Sequence, residues 1–158
     1  MTEEKNLAGL RGWLALVGLG IILSPLRIVA LVFPTYLKLF SNDSWEKLTT
    51  PGKQAYHPLW SSILVGEIAI NCAFVFVWLY IALLFFLKKK VFPKWYIGIM
   101  MFALVFIVLD ALAIKMVLPN EPLFDADSTK ELVRTLIAVL IWVPYMLVSK
   151  RVKATFLN

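Results

Sequence analysis

Five ionisable side chains fall inside, or at the edge of, long apolar stretches of the chain: Arg27, Glu67, Asp110, Lys115 and Arg134. A charge at the centre of a bilayer costs at least ~2.5–3.5 kcal/mol unless something compensates it, so each of these residues needs a partner, a proton or water. Lys115 and Arg134 have stems long enough to carry their charges back to the membrane surface. Glu67 and Asp110 are short, and must be protonated, be paired, or line a wet cavity. Two acids and several basic groups at similar depth suit mutual pairing, which is the chemistry of a structural ion network that sets helix register. They equally suit a site that binds a ligand or handles protons. With three positive and two negative members the group carries a surplus of +1, which favours a small anion, a carboxylate or a lipid head group. Asn71 lies four residues after Glu67 and so on the same helix face, extending the polar stripe deeper.

These residues must be positioned by membrane-crossing helices. The chain has 158 residues, of which 61% are hydrophobic and 16% charged. A soluble domain has roughly 45–50% apolar and about 25% charged residues. A chain of this size has too little interior to hide so much apolar surface from water, so a soluble globular protein is excluded, as is a disordered one. Four stretches exceed the ~20 residues a crossing helix needs, or come close to it: 12–33, 59–87, 96–118 and 132–149. The expected fold is therefore an all-α integral-membrane four-helix up-and-down bundle, one transmembrane domain over 1–158. At 1.5 Å per residue, Arg27 sits about 9 Å from the far end of its span, Glu67 and Asp110 about 12 Å, Asn71 about 18 Å, and Lys115 and Arg134 about 3–5 Å. All the charges fall in the same half of the membrane, and the opposite half is nearly bare of polar groups. A conduit would need polar contacts on a path to both sides.

Direction follows from the basic residues. Lys5, Arg11, Lys88, Lys89, Lys90, Lys94, Lys150, Arg151 and Lys153 fall on one side, against Lys38, Lys47, Lys53, Lys130 and Arg134 on the other. The positive-inside rule places both termini in the cytoplasm and the charged half of the bundle toward the outside. The lysine run can also attract anionic membrane lipids. Glu3 and Glu4 spoil the basic start of a signal peptide, so the first span reads as retained. In the first external loop, Asp43 or Ser44 is placed to cap a short interfacial helix carrying Trp45 and Leu48. Ser128-x-x-Glu131 resembles a capping box opening the fourth helix. Ser24-Pro25, just before Arg27, and Pro144 in the fourth span are expected to disturb their helices. Gly20-x-x-x-Ser24 and Ala69-x-x-x-Ala73 match a common close-packing pattern.

Other chemistries lack their residues. One cysteine, Cys72, and one histidine, His57, exclude an internal disulfide and cysteine- or histidine-rich metal cages. There is no phosphate-binding loop, dinucleotide fingerprint or nucleophile elbow. No enzyme activity, cofactor or nucleic-acid partner is expected.

Leu10-Arg11-Gly12-Trp13-Leu14, followed by Ser24-Pro25-Leu26-Arg27, together with four spans and the placement of Glu67 and Asp110, resembles a bacterial membrane family catalogued as domain of unknown function 2569. Gly12, Trp13, Pro25 and Arg27 are the matching positions. The resemblance covers almost the whole chain and implies a multi-pass protein of the bacterial inner membrane, and it brings no activity with it. The expected function is a non-enzymatic binding or sensory module with an outward-facing pocket for a small anionic or head-group ligand. Arg27 and Arg134 would hold the anion, Glu67 and Asp110 would orient the arginines, Asn71 would donate from below, and Lys115 is a further ligand-binding candidate. A partner membrane protein would carry the signal onward. A small proton-coupled transporter, or a subunit of one, and a structural assembly partner are the alternatives.

Overall fold

A computed structural model describes residues 9–157, so Glu3, Glu4 and Lys5 lie outside the described residues. All regular structure among those residues is helical. Among the described residues four helices are long and apolar enough to cross a membrane. Helix α1 runs over Trp13–Ser41, α3 over Trp60–Phe86, α4 over Phe92–Val117 and α5 over Ala126–Val148. A short helix α2, Ser44–Thr49, follows α1, and a short helix α6, Lys150–Thr155, follows α5. Consecutive long helices pack side by side, α1 on α3, α3 on α4 and α4 on α5. Side chains join α1 to α5 at two levels, Trp13 against Trp142 at 6.1 Å and Arg27, midway along α1, against Glu131 near the start of α5.

The first span runs past its expected end at Phe33. Proline lacks an N–H and its ring crowds the carbonyl four residues back, which is the reason to expect a stop before Pro34. The chain instead widens into a π-helical turn over Ile28–Val32, with Phe33 N–H reaching back to Ile28 O. The wider turn carries the backbone past Pro34, and Phe33–Ser41 continues as α-helix. Such local adjustment is how membrane helices tolerate proline. Pro25 is likewise accommodated inside the helix, while the Ser24 hydroxyl donates to Gly20 O at 2.8 Å. Tyr36, Leu37, Leu39 and Phe40, which lie beyond the expected end of the span at residue 33, therefore belong to α1.

The fourth span starts earlier than expected. Its N-cap is Asp125, whose carboxylate accepts from the Ser128 N–H at 2.7 Å and the Ser128 hydroxyl at 2.6 Å. Those bonds hold the Asp125 carboxyl below the usual carboxylate range. Ser128 is thus the donor to the cap rather than the cap, and Glu131 points to other partners. Asp43 stands at the N-cap of α2 in a left-handed conformation without a side-chain bond to the helix, so the expected side-chain cap is absent there. At the end of α3, Lys88 adopts φ 53°. Lys89 N–H bonds Leu84 O at 2.9 Å and Lys88 N–H bonds Phe85 O at 3.1 Å, which is a Schellman closure with lysine where glycine is usual.

The core is concentrated at the end of the bundle where α1 begins and α3 finishes. Leu14, Val17, Ile21, Ile81, Phe85, Phe92 and Val152 are fully buried there. Phe92 stacks on Phe156 at 4.4 Å, and Phe85 meets both, at 5.2 and 5.9 Å. Helix α6 closes this end, its Thr155 hydroxyl accepting from Gly9 N–H at 3.0 Å. Gly18 lets α1 approach Phe85: a Cβ there would stand 2.8 Å from the ring. This is the close glycine contact of the bundle, whereas Gly20, Ala69 and Ala73 of the expected packing pattern are exposed. The opposite end, where α1 finishes and α3 begins, has few buried apolar residues and collects the polar ones.

Candidate functional site

Two polar clusters hold α1 to its neighbours at this second end. In the first, Tyr36 of α1 donates its hydroxyl to Glu67 Oε1 of α3 at 2.9 Å. Asn71 Nδ2 donates to the Tyr36 oxygen at 2.8 Å and to the Glu67 carbonyl at 3.0 Å. The i, i+4 spacing of Glu67 and Asn71 puts both on the face of α3 that meets α1. Tyr36 is buried and reaches them because the helix persists through Pro34.

In the second cluster, Arg27 Nη2 of α1 lies 2.7 Å from Glu131 Oε2 of α5. The other oxygen of the same carboxylate takes Arg134 Nη2, one helical turn along α5. One carboxylate is shared by two guanidinium groups, leaving a net +1. All three side chains stay partly exposed. A guanidinium offers five N–H donors, and each arginine uses one on Glu131, so most of their donor capacity points elsewhere. At 1.5 Å per residue, Glu131 sits about 8 Å and Arg134 about 12 Å into α5, deeper than a start at Leu132 implied.

The expected pairing scheme is corrected here. Arg27 and Arg134 do converge, but Glu131 joins them rather than Glu67 or Asp110. Neither of those two acids forms a salt bridge among the described residues. Glu67 takes Tyr36, and Asn71 serves that pair rather than the arginines. Asp110 lines an adjoining cavity of about 300 Å³ between α4 and α5, with Ile107, Ile114, Glu121, Ser128 and Glu131. Lys115 leaves the group altogether: its Nζ donates to Pro119 O at 2.7 Å and Glu121 O at 2.5 Å. It closes the C-terminal end of α4 by reaching toward the surface, as a long side chain near a helix end can.

Sequence reasoning missed Tyr36 and Glu131. Tyr36 was hidden by the assumption that Pro34 ends the span. Glu131 was read as the glutamate of a capping box with Ser128, which left it no part in the charged group. Its spacing of three from Arg134 was the available signal, since i, i+3 opposite charges meet on a helix. Among the described residues no group of histidine, cysteine, aspartate and glutamate is arranged to hold a metal.

The architecture is that of a multi-pass membrane bundle with a closed aromatic end and a polar end. The chain matches the family described as "Protein of unknown function (DUF2569)" over residues 7–157, and it belongs to that family. It is 33% identical over 146 residues to the "Inner membrane protein YdgK" of Escherichia coli (strain K12), an alignment covering 88% of this chain and 92% of that protein. The chain is accordingly a multi-pass inner-membrane protein. No solved structure matches it.

Proposed function

We propose that the chain is a non-enzymatic binding or sensory module that takes a small anion or an anionic head group on the Arg27–Glu131–Arg134 cluster. The observation that carries this reading is one carboxylate shared between two partly exposed arginines on different helices. A second anion on the remaining N–H donors would neutralise the surplus charge and tie α1 to α5 more firmly. Fork-shaped guanidinium donors suit planar carboxylates and phosphates alike. Binding there would be felt as a change in how α1 sits on α5, and a membrane-protein partner would read it. The packed aromatic end supports a receiver over a conduit. Below Asn71, the face of α3 continues as Phe74, Trp78, Ile81 and Phe85, all buried and apolar.

The test is thermal melting of the purified protein in neutral detergent against inorganic phosphate, acetate, succinate and dispersed phosphatidylglycerol, with Arg27→Gln and Arg134→Gln alongside. A ligand at 100 times its Kd adds about 2.7 kcal/mol to stability. A rise with one class that disappears in both variants supports the site. Phosphate acting alone indicates a soluble anion, and phosphatidylglycerol acting without phosphate indicates a lipid head group. No rise with any compound, together with a large loss of stability in Arg27→Gln, would make the cluster purely structural.

A further inference from the structure

A second cavity, of about 450 Å³, opens between α3 and α4 toward the aromatic end of the bundle. Ile70, Ala73, Val77, Gly98 and Phe102 make its walls, and Lys94 is the one charged residue lining it. From Lys94 to Phe102 the groove follows α4 for about 12 Å. The glycine matters to its depth. A Cβ at Gly98 would meet nothing within 4 Å, so the space over Gly98 is open and a larger side chain there would occupy it. Lys94 lies in the first turn of α4, about 3 Å from the helix start. It makes no salt bridge among the described residues. Lys88, Lys89 and Lys90 precede it in the turn between α3 and α4 and are exposed. Trp95, beside Lys94, lies edge-on to Tyr80 of α3 at 5.3 Å, placing an aromatic pair at the same level as the charge.

We propose that this groove is a binding site for one anionic phospholipid, with an acyl chain laid over Gly98 and Ala73 and the phosphate held by Lys94. The two halves of the site match the two halves of such a molecule. The walls offer an apolar slot that suits a hydrocarbon chain, and the mouth offers an ammonium, with three more lysines in the preceding turn. Basic pockets between membrane helices are the usual place for selective head-group capture. A zwitterionic lipid fits the slot but gains less from Lys94, so charge at the mouth confers the selectivity. The site is at the opposite end of the bundle from the Arg27 cluster and shares no residue with it, so either can fail without the other.

The experiment is native mass spectrometry of the detergent-solubilised chain titrated with phosphatidylglycerol or phosphatidylcholine of the same acyl chains, with inorganic phosphate as the head-group-only probe. One lysine near an anionic head group is worth about 1 kcal/mol, or roughly fivefold in affinity. Phosphatidylglycerol is therefore expected to bind about fivefold tighter than phosphatidylcholine, with no adduct from phosphate alone. In an Arg27→Gln background, which removes the other anion site, Lys94→Gln should bring the two lipids level, while Lys53→Gln should leave the preference intact. Gly98→Leu should lose binding of both lipids while the variant melts as the parent does in detergent alone. Equal binding of the two lipids by the parent would overturn the proposal. So would a preference that survives Lys94→Gln, or undiminished binding by Gly98→Leu.

Discussion

The Tyr36 hydroxyl occupies the middle of a relay, accepting from Asn71 and donating to Glu67. Its removal leaves Glu67 and Asn71 of α3 facing the gap it vacates, without the donor that satisfied the carboxylate. Tyr36→Phe is expected to destabilise the protein by about 1–3 kcal/mol, the usual cost of stranding a partly buried polar partner. In a Glu67→Gln background the same change should cost less, because the pair acts as a unit. Denaturant melting of the two single variants and the double variant measures that coupling, and strict additivity would show that the hydroxyl does not serve Glu67. On the sequence, Glu67 and Asn71 were legible as one stripe because four residues make a helical turn. Their partner was not, because nothing local indicates that a helix carries on through a proline. The same holds for Arg27 and Arg134, which the sequence marked as residues needing a partner and which only the tertiary arrangement of the bundle joined through Glu131.

At the scale of the helices, close approach is decided by one glycine. Gly18 lies under the Phe85 ring, which is itself enclosed by Phe92 and Phe156 and has little room to move. Gly18→Ala is expected to cost about 1–3 kcal/mol by overpacking. Gly20→Ala, two residues on, meets nothing and should be neutral or slightly stabilising, since alanine favours helix over glycine. Melting the two variants side by side in detergent checks the contrast, and equal behaviour would refute the proposed role of Gly18. The small-x-x-x-small pattern pointed to Gly20 and Ser24 instead. Such patterns mark where helices can approach, and the partner's large residue determines where they do. Helix ends show a similar division. The second span, bounded by a clear change from polar to apolar sequence, came within a residue of its expected limits. The first and fourth did not, because a π-turn and an aspartate cap moved their ends, and the third starts at Phe92 rather than residue 96, because Pro93 fits the first turn of a helix.

For the molecule as a whole, polarity is divided along the bundle axis. Aromatic packing and the lysine-rich turn are at one end, the tyrosine–carboxylate and arginine–carboxylate clusters at the other. The positive-inside rule assigns the lysine-rich end to the cytoplasm. In a Cys72→Ala background, a membrane-impermeant thiol reagent applied to intact cells is expected to label Lys47→Cys in α2, but not Lys89→Cys or Lys153→Cys. The reverse pattern would invert the bundle and place the arginine cluster on the inner face. That outcome would leave the proposed chemistry of the cluster standing and change the compartment supplying its ligand.

The membrane class, the four crossings and the gathering of charge in one half were set by the sequence alone. They follow from how much apolar surface the chain carries and how it is spaced, quantities that add up residue by residue. The pairing of those charges was decided only by tertiary structure. An ion pair or hydrogen bond between helices depends on axial register and rotation, and these are fixed by contacts far apart in the chain. A π-turn of five residues and a helix cap moved from Ser128 to Asp125 accompany the exchange of the expected partners of Arg27 and Arg134 for Glu131, and of Glu67's for a tyrosine.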